Sequence, residues 1–387
     1  MSNHIPLSVP SLNGNEWEYL KECLDTEWVS SAGKYVDLFE EKIADYTAAK
    51  YTVSCVNGTS ALQLSLRLVG VMPGDEVIAP TLTFIAPVNA IAYNGATPVF
   101  MDADEHYNID GKKTIEFINK ETVFKNGFTY NKKTEKRISA IVPAHIWGNA
   151  AWLDELVPLC EEHNIAIVED ASESLGTYYK KGKYKGKHTG TIGKLGCLSF
   201  NGNKIITTGG GGMILTDDEE LVEKARYLTT QAKDDPVRYV HNEIGYNFRL
   251  TNIQAALGVA QLEQLLGFLK RKQDIHKQYV EMVKKVEGLA MAATPDYAEN
   301  NHWMNLLQTD SKTYGTDRGT LMRRLEENGI QTRPVWVLNH EQKPYKNCQS
   351  YKIERAEELV NSSLCLPSSS KLNSSDVANV ISSLVCK

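Results

Sequence analysis

Three features of this 387-residue chain have the residue types and spacing to do chemistry. Lys204 stands among polar and glycine-rich residues, in Leu198-Ser-Phe-Asn-Gly-Asn-Lys204-Ile-Ile-Thr-Thr-Gly-Gly-Gly-Gly212-Met213, between two apolar runs. The glycines from Gly209 to Gly212 let backbone approach a ligand closely or take positive φ, which a plain connector does not need. Asp170 ends the apolar run Ile165-Ala-Ile-Val-Glu-Asp170, and ligands of open α/β sheets sit beyond the carboxyl ends of strands. Asn57-Gly58-Thr59-Ser60 follows another apolar run and opens a helical pattern, so its free backbone N–H groups can meet an anion. Each feature has a plain structural alternative: a solvated loop lysine, an aspartate capping the next helix, a cap made by Thr59 or Ser60. Together they are the parts that hold pyridoxal phosphate. The amine bonds its aldehyde carbon, the carboxylate keeps the pyridine nitrogen protonated, and the helix start takes the phosphate.

The elements that must position these residues follow an α/β alternation. Apolar runs rich in Val and Ile predict seven strands, near 52–56, 76–79, 98–102, 138–143, 165–169, 196–200 and 212–216, with helical patterns between them. That is the signature of a mostly parallel sheet with crossover helices. Residues 117–137 interrupt it with a polar excursion read as a surface hairpin, and the lysine-rich stretch 179–188 reads as a solvated turn. From about Thr251 the pattern predicts one long helix, 251–287, and then a shorter α+β segment. The expected division is a large domain over 1–255 and a small C-terminal domain over 256–387.

Composition narrows the class. Lys and Arg number 42 against 48 Asp and Glu, a formal charge of −6, which gives no global attraction for nucleic acid. No run of apolar residues is long enough to span a membrane, and the polar start is not a signal peptide. Seven cysteines without a CxxC pair suit a reduced cytoplasm, and no metal-ligand pattern stands out.

The chain resembles the sugar aminotransferases of the DegT/DnrJ/EryC1/StrS group, which have the aspartate aminotransferase fold (fold type I). The motifs run from Trp28-Val-Ser-Ser-Ala-Gly-Lys34 through Gly74-Asp-Glu-Val-Ile-Ala-Pro-Thr-Leu-Thr-Phe84 to Thr332-Arg333-Pro334. The resemblance implies that Lys204 bonds the cofactor, Asp170 partners its pyridine nitrogen and Glu173 meets its phenolic oxygen. It implies also that Phe84 stacks on the ring, and that Gly58, Thr59, Ser60 and Ser199 take the phosphate. Asn247, in Gly245-Tyr-Asn247-Phe-Arg249, matches an asparagine that reaches the neighbouring subunit's phosphate and so implies a homodimer with shared sites. Trp28, Ser30, Ser31 and Lys34 match a loop that closes the partner's site. Arg249, Arg333, Trp336 and His340 are candidates for the sugar nucleotide, each with a packing or surface alternative.

Where many relatives have His-Pro before the lysine and an acid inside the glycine run, this chain has Asn201-Gly-Asn-Lys204 and four glycines. With Glu173 and the 117–137 insertion, that variant resembles the legionaminic acid and bacillosamine enzymes. The implied reaction moves an amino group from L-glutamate to C4 of a UDP- or GDP-linked 4-keto-6-deoxy-N-acetylhexosamine. Amination at C3, or of another keto-deoxy sugar nucleotide, is the alternative. Sugar dehydratases of the group have His in place of the lysine, and an NAD-dependent epimerase would need GxGxxG after the first strand, where residues 55–60 read Cys-Val-Asn-Gly-Thr-Ser.

Overall fold

The computed structural model describes residues 4–235 and 237–385. In chain order its strands are β1 (Tyr51–Cys55), β2 (Glu76–Pro80), β3 (Thr97–Met101), β4 (Thr122–Lys125), β5 (Phe128–Asn131), β6 (Arg137–Ile141), β7 (Ala166–Asp170), β8 (Tyr178–Tyr179), β9 (Leu195–Ser199) and β10 (Gly212–Thr216). After them come β11 (Leu289–Met291), β12 (Ala298–Glu299), β13 (Asn305–Thr309), β14 (Arg333–Pro334), β15 (Ser350–Tyr351) and β16 (Ser363–Leu366). The seven expected strands are β1, β2, β3, β6, β7, β9 and β10. Their residues are almost all buried, as strands covered on both faces must be.

The main sheet runs in the order β1-β10-β9-β7-β6-β2-β3-β15. Along this order only β10 points against its neighbours; it pairs antiparallel with both β1 and β9, and the pairs from β9 to β15 are parallel. The carboxyl ends of β1, β2, β7 and β9 therefore lie along one edge of the sheet, with the amino end of β10 beside them. The sheet has ten strands rather than seven. The excursion is a hairpin, β4 and β5, but it starts after a helix over 111–121 and is bonded to the sheet through Thr129↔Ile138 and Tyr130↔Arg137. In the lysine-rich stretch, Tyr178 pairs with His188 and the lysines between them are exposed, while Tyr179 and His188 are buried.

Helices α1 (Glu16–Asp25), α2 (Lys34–Thr47) and α3 (Gly58–Leu68) precede α4 (Ile85–Tyr93), α5 (Gly111–Glu121), α6 (Leu156–Glu162) and α7 (Glu219–Thr229). The long helix expected over 251–287 is two, α8 (Asn252–Glu263) and α9 (Leu265–Val283). A capping box of Thr251 and Gln254 starts α8. The break needs no proline: the Gln264 N–H bonds the Gln261 carbonyl three residues back, and its side chain donates to the Ala260 carbonyl and to Glu16. Beyond α9 an antiparallel sheet runs β11-β13-β16-β14. Ile275, Tyr279 and Val283 of α9 share its core with Leu307, Leu364 and Leu366. No described helix is long and apolar enough to cross a membrane. The described cysteines are free thiols, and Cys386 lies outside the described residues.

Candidate active site

A cavity of about 340 Å³ opens at the shared carboxyl edge. Asn57, Gly58 and Thr59 line it from the turn after β1, Phe84 from the loop after β2, Asp170 and Glu173 from the end of β7, and Ser199 from the end of β9. Asn201, Asn203, Lys204, Gly210 and Gly211 come from the β9–β10 loop, and Trp303 and Trp336 from the C-terminal segment. Ser60 lies one residue inside α3 and is buried.

The anion end is built by the start of α3. The cap is Asn57, not Thr59 or Ser60: its Oδ1 accepts the Ser60 N–H at 2.8 Å. The Gly58 and Thr59 N–H groups stay free of intrahelical partners at the cavity wall. A Cβ on Gly58 would stand 2.9 Å from that of Ser199, so glycine lets the helix start sit against the Ser199 hydroxyl. Of the four glycines, only Gly209 takes positive φ, at +79°. Gly212 is needed for closeness, since its Cβ would meet the Asn57 backbone at 2.5 Å.

At the other end, Lys204 is 14% exposed and its Nζ stands 3.6 Å from Glu173 Oε1. Glu173 Oε2 accepts the Trp147 N–H at 2.8 Å. Burial pushes the Glu173 carboxyl up to about 7, against the pull of Lys204 and the Trp147 N–H. Asp170 is buried and Oδ1 accepts the Ser172 N–H at 3.1 Å in a turn; no helix follows for it to cap. Beneath it, Glu169 Oε2 and His145 Nε2 are 2.8 Å apart and fully buried. His145 Nδ1 accepts the Ala151 N–H, so Nε2 carries the proton. Burial favours a neutral Glu169, but the His145 contact and the Gly190 and Gly193 N–H groups outweigh it and hold the carboxylate low.

Aromatic rings close the cavity. Phe84 is 53% exposed and its ring is 5.9 Å from that of Trp336. Trp336 stacks on Trp147 at 4.0 Å, and Trp147 on Trp303 at 5.7 Å. Sequence reasoning missed Trp147 and Trp303. Trp147, just past the end of β6 and before Gly148, carried a readable signal in its place. It takes φ +57°, uncommon for a bulky residue. Trp303 gave none, because it reaches the cavity from beyond α9.

The other candidates lie elsewhere in this chain. Arg249 is held by Glu40 at 2.5 Å, with the Ser54 N–H on the same carboxylate oxygen. Trp28 and Lys34 line a separate pocket with Asn252, which binds the Trp28 and Ser30 carbonyls; Lys34 pairs with Glu22, and Ser30 and Ser31 are exposed. Arg333 is exposed in a third pocket with His4 and Glu326. His340 Nδ1 lies 2.7 Å from the Thr81 hydroxyl. Asn247 is exposed, its backbone paired with Thr230.

The donor set fits pyridoxal phosphate: open N–H groups and a hydroxyl for a phosphate, a strand-end carboxylate for a ring nitrogen, and an amine for an aldehyde. The Asn203 Oδ1, buried at the same wall, has no hydrogen-bond partner among the described residues.

Residues 10–385 match the DegT/DnrJ/EryC1/StrS aminotransferase family. The GDP-perosamine synthase of Caulobacter vibrioides is 36% identical over 98% of this chain and 97% of its own. EpsN of Bacillus subtilis (strain 168), whose name assigns it to the pyridoxal phosphate-dependent aminotransferases, is 36% identical over 100% of this chain and 96% of its own. Among solved structures, DesI with its TDP-sugar product superposes with a TM-score of 0.87 at 27% identity, covering 99% of this chain and 93% of that one. The aminotransferase TlmJ from Streptoalloteichus hindustanus gives 0.86 at 28%, covering 98% of each.

Proposed function

The chain belongs to the DegT/DnrJ/EryC1/StrS aminotransferase family, and from that premise we propose that it is a cytoplasmic, homodimeric, pyridoxal phosphate-dependent sugar aminotransferase. It takes an amino group from L-glutamate and delivers it to C4 of a nucleotide-linked 4-keto-6-deoxy-N-acetylhexosamine, in the manner of the legionaminic acid and bacillosamine enzymes. One observation carries the reading: Lys204, Asp170 and the open start of α3 share one cavity.

When bound, the cofactor supplies an aldehyde carbon to carry the amino group and a pyridinium ring to accept the electron pair left at the donor's Cα. The protein's part is to bind, orient and move protons. The Gly58 and Thr59 N–H groups and the Ser199 hydroxyl neutralise the phosphate locally, as a chain of net charge −6 requires. Asp170 keeps the ring nitrogen protonated. Lys204 would take the Cα proton of the amino donor and return it to the carbon on the far side of the transferred nitrogen, and would do the reverse on the keto sugar. Phe84 and Trp336 shield the reacting face from water. Asn247 completes the partner's phosphate site.

A second reading comes from the relatives named GDP-perosamine synthase, a 4-amino-sugar enzyme: the acceptor is then a GDP-linked 4-keto-6-deoxyhexose without the acetamido group. Mass spectrometry of products from a panel of UDP-, GDP- and TDP-linked 4-keto sugars with glutamate separates the two. The proposal expects a one-nitrogen exchange at C4 on an N-acetylated acceptor. Turnover of the non-acetylated GDP sugar alone selects the second reading, and no turnover of any 4-keto sugar overturns both.

A further inference from the structure

We propose that Trp303 is the positioning residue for Lys204, a role that rests on Lys204 being the cofactor-bonding amine. Two contacts from one side chain carry this. The indole Nε1 donates to the carbonyl of Asn203, the residue before Lys204, at 2.7 Å. The face of the same ring lies 3.9 Å from the Lys204 Nζ. One contact fixes the backbone from which the lysine springs; the other gives its cationic tip a resting place.

The ring is itself firmly held. Trp303 is 3% exposed, and its backbone N–H donates to Asn301 Oδ1 at 2.9 Å. Its carbonyl accepts from Lys272 of α9 at 3.1 Å, and the same ammonium holds the Ser368 carbonyl at 2.6 Å beyond β16. Trp147 stacks on its ring. The sole carboxyl group paired with the Lys204 tip is Glu173, at 3.6 Å, so among the described residues the Lys204 amine lies between one carboxyl group and one aromatic face.

A lysine released from the cofactor keeps four flexible methylenes and, when protonated, three donors. Without a fixed station it would swing through the volume the sugar must enter. Over Trp303 it stays within the cavity, ready to take and return protons.

The test uses the cofactor-free full-length chain and an amine-directed anhydride, with labelling of Lys204 followed by peptide mass spectrometry at one pH. Trp303→Phe keeps the ring face, and labelling stays within about twofold of wild type. Trp303→Leu removes the face, and labelling rises by about fivefold while the other lysines label as before. Equal labelling in all three proteins overturns the proposal. Should the leucine variant not fold, the wild-type chain answers directly: with 13C-labelled lysine, the Lys204 methylene beside the amine is shifted upfield by the indole. That resonance is identified by its loss in Lys204→Met; finding it at the position of a solvated lysine overturns the proposal. Failure of the cofactor reading shows separately, as wild-type protein that carries no pyridoxyl group on Lys204.

Discussion

Glu173 decides the charge balance next to Lys204, at the place where the resemblance puts the cofactor's phenolic oxygen. In the folded cofactor-free chain it holds its proton to about pH 7, whereas a free glutamate loses it near 4.5. Between those values the folded state binds more protons than the unfolded one, so the stability Glu173 contributes falls as pH rises through this window, by about 3 kcal/mol in all. Glu173→Gln does not titrate, so its stability relative to wild type should climb by up to that amount between pH 4.5 and 7.5. Urea unfolding at pH 5 and 8 measures it; parallel pH curves for the two proteins would refute the burial argument. Lys204, Asp170 and the Asn57–Ser60 turn could be read in the sequence because each is a distinctive residue type at a predictable strand end. Arg249 could not be decided, since its ion-pair partner Glu40 lies 209 residues away in the chain.

At the scale of elements, the site depends on how closely the β9–β10 loop returns past the start of α3. A Cβ on Gly212 would stand 2.5 Å from the Asn57 carbonyl, and backbone atoms there cannot give way. Gly212→Ala should therefore lose about 1–3 kcal/mol of stability and release bound cofactor more readily. Gly202, in the same loop, has nothing within 4 Å of its Cβ position, so Gly202→Ala is the neutral control. Urea midpoints and cofactor retention on gel filtration compare them. The strands were legible to within a residue or two because parallel strands buried on both faces read as continuous apolar runs. The break between α8 and α9 was not, because glutamine is a good helix former and the bond that draws Gln264 aside comes from Glu16. The attachment of the β4–β5 hairpin to β6 was also hidden, since polar strands at an edge leave little periodicity.

At the scale of the molecule, the −6 charge means that bound phosphates must be held by local donors rather than by a global attraction. Asn247 is exposed, and Trp28 and Lys34 sit around a pocket apart from Lys204. If these residues serve the other subunit, random reassociation of Lys204→Ala with Asn247→Ala protomers should restore about a quarter of the wild-type sites, because half of the dimers are mixed and each has one intact site. Activity that stays at the level of the separate variants would mean that each site is built from one chain. The most direct measurement on the whole account is borohydride reduction of the purified protein followed by peptide mass mapping, with and without prior glutamate. The account predicts a pyridoxyl group on Lys204 alone, and much less of it after glutamate has displaced the lysine. A Lys204 peptide that stays unmodified, or a label on another lysine, would contradict it.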